Sequence, residues 1–358
     1  MHRTHDPEFW SGRRVLVTGH TGFKGSWLTC WLRDLGAEVY GVSLPPEAGE
    51  TPLWDRLALE GVHDVRDDVA GTGWLTGAAA FEPEVVLHLA AQSLVSEGYR
   101  DPAGTFGTNV MGTVRVLELV ESLPGVRAAL VVTTDKVYDV RQPTPFVEDD
   151  FLGGKDPYSA SKAAAELVTQ SWPGLSDRVV TARAGNVIGG GDFALNRIVP
   201  DIVRAWSTGQ TLVLRRPLAV RPWQHVIEPL LGYLLYTEDV ARGRDVPRSL
   251  NFGPDPAQAV PVQALVEHAA TQWGGLRGAD TPVRWEVEPD PVMEETHDLT
   301  LAAGQAQRVL TWGNVWGWQD AIDRSLEWYV RAVDGEDPHS LVLAQIRAYT
   351  SAVDAPAP

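Results

Sequence analysis

Tyr158 and Lys162 stand four residues apart in Tyr158-Ser159-Ala160-Ser161-Lys162. On a helix that spacing puts an ammonium on the same face as a phenol. A neighbouring cation favours the phenolate and brings down a pKa that is ordinarily about 10. The pair then forms a base able to take a hydroxyl proton while hydride leaves the same carbon. A second set, Thr133-Thr134-Asp135-Lys136, aligns hydroxyl, carboxylate and amine directly after the apolar run 128–132. In doubly wound sheets ligands bind outside the carboxyl ends of the strands, so this set is placed to handle protons. Each pattern alone also fits ordinary helix-surface or turn-capping residues. Together, and after the glycine turn described next, they point to chemistry.

Thr18-Gly19-His20-Thr21-Gly22-Phe23-Lys24-Gly25 lies between an apolar run and a helical stripe. Glycines three apart allow a sharp strand-to-helix turn and a close backbone approach to a pyrophosphate at the helix N-terminus. Gly19, Gly22, Phe23, Lys24 and Gly25 are therefore expected to hold a dinucleotide. The carboxylate that usually clamps an NAD ribose would stand at the end of the second strand, where this chain has Ser43. No arginine there favours a 2′-phosphate either, so the residues alone leave NAD and NADP open. Asp64, in Asp64-Val65-Arg66-Asp67, is expected just after a third strand, where a carboxylate and backbone could read an adenine edge.

The elements that must position these residues follow from periodicity. Apolar strands are expected at 14–18, 38–44, 85–89, 128–132 and 179–182, with helices at 26–35, 109–122 and 158–171. Near-continuous apolar strands alternating with helices predict a parallel sheet covered on both faces, a doubly wound α/β fold of the Rossmann type. After about residue 186 the alternation fades. A glycine turn at Gly189-Gly190-Gly191-Asp192, a helix at 197–206 and short elements follow, and 250–253 is expected to return to the first sheet.

Composition bounds the partners. The 358 residues carry 30 Lys and Arg against 47 Asp and Glu, a net charge of −17, which disfavours nucleic acid and anionic membrane surfaces as partners. No apolar run approaches the roughly 18 residues of a membrane span. The opening residues lack the apolar core of a signal peptide, and Cys30 is the single cysteine. A cytoplasmic protein without a metal site is expected.

With these residues in hand, the chain resembles the extended short-chain dehydrogenase/reductases that modify nucleotide sugars. Within them it is most similar to the CDP-D-glucose 4,6-dehydratases. Beyond the glycine turn, the resemblance rests on Asn109-Val110-Met111-Gly112-Thr113, Asp156-Pro157-Tyr158-Ser159, the run 183–192 and Arg221-Pro222-Trp223-Gln224-His225-Val226. It implies NAD as cofactor, with Asp64 and Val65 at the adenine and Ala90, Ala91, Gln92, Asn109 and Thr133 lining the site. It implies that Thr134 and Tyr158 meet the sugar 4-hydroxyl, Asp135 protonates the departing 6-hydroxyl and Lys136 helps to move the C5 proton. Asn186, Arg197 and Arg221 would meet the nucleotide diphosphate. It also implies a homodimer pairing the helices at 109–122 and 158–171, and a product that is a 4-keto-6-deoxy sugar. The implied division is a dinucleotide-binding domain over 1–185 with a return strand near 226–253. A substrate lobe of mixed α/β structure covers 186–225 and 254–335, and a C-terminal helix with a frayed tail covers 336–358.

Three departures mark this chain. Ser96 stands where an arginine is expected, 301–306 loses an Asp and a Lys from a helix start, and Ser43 removes the ribose clamp. An NAD-dependent 4-epimerase would use the same Tyr158 and Lys162 but needs no acid–amine pair after Thr134. A non-enzymatic dinucleotide-binding regulator commonly loses the Tyr/Lys pair, which is intact here.

Overall fold

The computed structural model describes residues 2–46, 51–278, 281–288 and 299–355. Seven parallel strands form its central sheet: β1 (Arg14–Thr18), β2 (Glu38–Ser43), β3 (Val62–Arg66), β4 (Val85–His88), β5 (Ala128–Val132), β6 (Val179–Ala184) and β7 (Ser249–Phe252). Their spatial order is β7-β6-β5-β4-β1-β2-β3, so the chain runs outward in both directions from the β1/β4 junction. That junction is the switch point where doubly wound sheets bind ligands.

Strand alternation divides the core in two. Val15, Val17, Val85, Leu87, Leu130 and Val132 face one apolar cluster. Leu16, Val86, Ala129 and Val131 face the other. Both faces being covered, β5 and β6 are buried at every position: β5 is an unbroken apolar run, and β6 buries Thr181 and Arg183 along with its apolar residues. The main helices are α1 (Phe23–Asp34), α2 (Gly112–Ser122), α3 (Pro157–Ser171), α4 (Ile198–Ser207), α5 (Ile227–Ala241), α6 (Val262–Arg277), α7 (Trp318–Val333) and α8 (Pro338–Asp354). Trp27, Trp31 and the apolar residues of α5 fill the first cluster, and Val116, Leu117 and Val120 of α2 fill the second.

Several expectations shift. The helix of the glycine turn begins at Phe23, three residues before the apolar stripe, because Gly22 serves as its cap and Gly25 lies inside it. Asp64 lies within β3, paired in register with Gly41, and does not follow the strand. The segment read as 109–122 opens with a widened turn over Gly107–Met111 before α2 proper. The region after residue 254 holds two long helices, α6 and α7, packed on each other, and not only short elements. The last residues, 356–358, lie outside the described residues.

One buried carboxylate ties the last helix to the core. Glu228 of α5 accepts the N–H groups of Val315 (3.0 Å) and Trp316 (2.8 Å) and the hydroxyl of Tyr349 on α8 (2.5 Å). Burial pushes its carboxyl up to about 8, against the pull of those three donors.

Candidate active site

The glycine turn is built so that no side chain fits at two of its positions. Gly19 has φ +77°, and a Cβ there would lie 2.6 Å from the Ala90 nitrogen. A Cβ on Gly25 would lie 1.9 Å from the Gly19 carbonyl oxygen. The Gly22 cap offers no side-chain acceptor, so the first N–H groups of α1 remain available to an anion. This cradle fits a pyrophosphate. Ser43 serves the turn itself, accepting the Thr21 N–H at 3.3 Å.

Asp64 reaches the same turn from β3. His20 Nε2 lies 2.9 Å from its carboxylate, Trp54 Nε1 donates at 3.0 Å and the Arg66 guanidinium at 2.7 Å. Burial would raise the Asp64 carboxyl, but the bonds from Arg66 and His20 outweigh it and hold it below the usual range. The carboxylate thus acts as the hub of a protein network beside the turn. Across the cleft, Asn109 fixes the loop after β4 by taking the Gln92 N–H at 2.9 Å and donating to the Gln92 carbonyl at 3.0 Å. Its amide also donates to Ser161 of α3 at 2.8 Å, which links Ala90, Ala91 and Gln92 to the Tyr158 helix.

Asp156 caps α3 by accepting the Ser159 N–H at 3.0 Å, and Pro157 fits the first helical position. The start of this helix is what aims Tyr158, which is buried with its phenol under the influence of the Thr134 hydroxyl. The expected cation beside the phenol is replaced by another. Lys162 Nζ donates to the Val132 carbonyl at 2.7 Å, and the largest positive influence on Tyr158 is Lys136, with Arg197 behind it. The four-residue spacing was right for a shared helix face, but the β5 carbonyl captures the ammonium. The phenol is not brought down as the spacing predicts: burial outweighs the pull of Lys136 and the Thr134 hydroxyl and leaves Tyr158 above its ordinary value.

Thr134, Asp135 and Lys136 stand at the carboxyl end of β5. Asp135 Oδ1 accepts from Thr134 Oγ1 at 2.9 Å and from Lys136 Nζ at 3.0 Å. Asp135 Oδ2 is buried without a partner among the described residues, 3.3 Å from where a Cβ on Gly185 would stand. Burial would lower the Lys136 ammonium, but Asp135 and Tyr158 outweigh it and raise its pKa.

Positive charge gathers here in an acidic protein. Arg197 bonds Asp192 at 2.9 Å and Ser93 at 3.4 Å, and its field reaches Tyr158 and Lys24. Buried Arg221 donates to the Val220 carbonyl at 2.8 Å, and its field reaches Lys136. Lys24 donates to Tyr233 of α5, and burial pushes its ammonium down to about 7. Asn186 follows β6 at the same end of the sheet. Five cations around one cleft suit an occupant with several phosphates.

The sequence profile of the NAD dependent epimerase/dehydratase family matches residues 15–253. The chain belongs to this family. It is 38% identical over 97% of its length, and 99% of the relative's, to the CDP-glucose 4,6-dehydratase of Salmonella typhimurium. It is 30% identical to the dTDP-glucose 4,6-dehydratase of Streptomyces griseus over 73% of this chain and 80% of that one. The fold matches the crystal structure of a dTDP-glucose 4,6-dehydratase from Streptomyces venezuelae with NAD bound, at a TM-score of 0.74 and 24% identity, covering 91% of this chain and 99% of that one. As a member of an NAD-dependent family the chain uses NAD, and the glycine cradle is shaped to accept it.

Residues that motif reading passed over complete the site. His20 joins the turn to β3, His88 bonds Thr18 and Thr113, and Glu166 accepts from Thr133. Glu166 could have been found from spacing, since it follows Lys162 by the same four residues.

Proposed function

We propose that this protein is a 4,6-dehydratase of a nucleotide-diphosphate glucose and that its substrate is CDP-glucose. The observation that carries the reading is the Asp135–Lys136 pair beside Tyr158, an acid and an amine placed next to a redox base. The near-full-length relative that acts on CDP-glucose supports the base.

Tyr158 takes the 4-hydroxyl proton, with the Thr134 hydroxyl fixing the oxygen. NAD held in the glycine cradle would supply the acceptor for the C4 hydride and the donor that gives it to C6. The C4 ketone acidifies the C5 hydrogen. A proton passed along the 3.0 Å bond between Lys136 and Asp135 turns the ion pair into a carboxylic acid beside a neutral amine. Lys136 then removes the C5 proton and Asp135 protonates the 6-hydroxyl, which leaves as water and restores the ion pair. Lys136 gives its proton back to C5 to finish the 4-keto-6-deoxy sugar, and the proton that Tyr158 took from the 4-hydroxyl passes to the now neutral Lys136, which returns both groups to their starting states. Gly19, Gly22, Phe23, Lys24, Gly25, Asp64, Val65, Ala90, Ala91, Gln92, Asn109, Thr133 and Lys162 hold the cofactor in this reading. Asn186, Arg197 and Arg221, on the substrate lobe, hold the diphosphate.

The protein acts as a homodimer in the cytoplasm in this reading. Met111 and Leu167 are 41% and 56% exposed on the helices expected to pair, and Phe106, 39% exposed, lies just before the first of them, apolar surface that a second copy would cover. No helix among the described residues is long and apolar enough to cross a membrane. Mass spectrometry of CDP-, dTDP-, UDP- and GDP-glucose incubated with the protein and NAD tests the function. Loss of one water from CDP-glucose alone is expected. Water loss from another sugar moves the substrate, and an unchanged mass with an inverted C4 rejects the reaction.

A further inference from the structure

Glu166 is a fully buried carboxylate to which the mechanism above gives no task. It lies on α3 four residues beyond Lys162 and eight beyond Tyr158, on the same helix face. Its Oε1 accepts from Thr133 Oγ1, and its Oε2 accepts from Thr181 Oγ1 at 2.7 Å and from Arg183 at 2.9 Å. Arg183 is itself only 1% exposed and donates further to the Tyr138 hydroxyl at 2.8 Å and the Glu148 carbonyl at 2.9 Å. The carboxylate is thereby fixed from β6 and aimed at the end of β5.

Two consecutive residues of that strand end are held by α3. Lys162 binds the carbonyl of Val132, and Glu166 binds the hydroxyl of Thr133. The next three residues are Thr134, Asp135 and Lys136. We propose that Glu166 is a positioning residue, which clamps Thr133 to the Tyr158 helix and so sets where the Thr134–Lys136 turn stands relative to the phenol. The proposal rests on the roles given above to Thr134, Asp135 and Tyr158.

Electrostatics gives the clamp a second effect. Lys162 is 3% exposed, and burial pushes its ammonium down to about 8, with Glu166 as the charge that opposes the fall. Of the other groups facing it, His88 on β4 is kept neutral by burial, and Lys24 from the glycine turn is itself pushed down to about 7, chiefly by burial. Removing the Glu166 charge therefore moves the titration of Lys162 to lower pH.

The test uses the full chain with NAD bound. Glu166→Gln keeps the shape but removes the charge, and Thr133→Val removes only the hydroxyl, leaving the buried Glu166–Arg183 pair whole in case the first variant fails to fold. Both are expected to lower kcat on CDP-glucose by roughly tenfold or more, with KM changed less than about twofold. Thr133→Ser keeps the hydroxyl and is expected to lose less of kcat than Thr133→Val. In Glu166→Gln alone, the limb of the kcat–pH profile that reports Lys162 moves down by about one unit. Hydrogen exchange of the 133–137 amides, which needs no substrate, is expected to speed up in both variants and not in Thr133→Ser. A wild-type protein that ignores CDP-glucose rejects the substrate reading, while the exchange result still judges the clamp. Folded variants with unchanged exchange at 133–137, or with wild-type kcat, overturn the positioning role.

Discussion

Lys136 Nζ lies 3.0 Å from Asp135 Oδ1, while the other oxygen of the same carboxylate is buried without a partner among the described residues. One oxygen is thus committed to the amine and the other is left for a hydroxyl. Asp135→Asn keeps the size of the group but cannot deliver the proton. We expect water loss to slow by roughly 100-fold or more, while C4 oxidation survives as a transient rise in absorbance near 340 nm. A variant that dehydrates CDP-glucose at the wild-type rate removes Asp135 from the elimination.

Tyr158 differs from Asp135 in where its loss stops the cycle. Tyr158→Phe removes the base for the 4-hydroxyl, so the absorbance rise should vanish along with the product, by roughly 10²–10⁴-fold. Stopped-flow mixing with substrate distinguishes the two variants. A normal absorbance burst in Tyr158→Phe would assign the base to another group.

Gly25 can be tested apart from catalysis. A Cβ at this position meets the Gly19 carbonyl oxygen at 1.9 Å, so the turn must open to admit it. Gly25→Ala is expected to lose NAD on gel filtration and to be destabilised by about 2 kcal/mol or more. Retention of NAD at the wild-type level would show that the turn does not cradle the cofactor.

Glu228 predicts a pH dependence of stability. Its carboxyl stands at about 8 in the folded chain and near 4.3 in an unfolded one, so the folded state holds the extra proton between those values. Stability then falls as pH rises from about 4.3 toward 8, by a few kcal/mol in all. Glu228→Gln cannot ionise and can still accept from Val315 and Trp316 through its carbonyl oxygen. The melting temperature of this variant, minus that of the wild type, should increase between pH 5 and pH 8.5. A constant difference would show that Glu228 does not titrate in this range.

Much of the fold could be read from local pattern. The apolar runs of β1 and β5 are bounded by glycine or hydroxyl residues, and their ends fell on the expected residues, 14–18 and 128–132. Helix α5 was not legible. Nearly all of its residues are buried, so it shows no stripe to set its period. The glycine turn and the Thr134–Lys136 turn stand where their spacing placed them, directly after β1 and β5. The partner of Lys162 could not be read this way, because a backbone carbonyl on β5 has no signature in sequence. The network of Asp64 with His20, Trp54 and Arg66 was equally hidden, since it joins a turn, a short helix and an edge strand.

The sheet is finished out of order. β7 pairs with β6 only after the chain has travelled through residues 185–248. During synthesis, six strands therefore emerge and wait with the β6 edge unpaired while the first part of the substrate lobe is made. Such an edge is a template for pairing with another chain. The first 185 residues expressed alone would keep that bare edge permanently, and aggregation is their expected fate. Soluble, folded protein from residues 1–185 alone would show that the sheet does not need β7 to close its β6 edge.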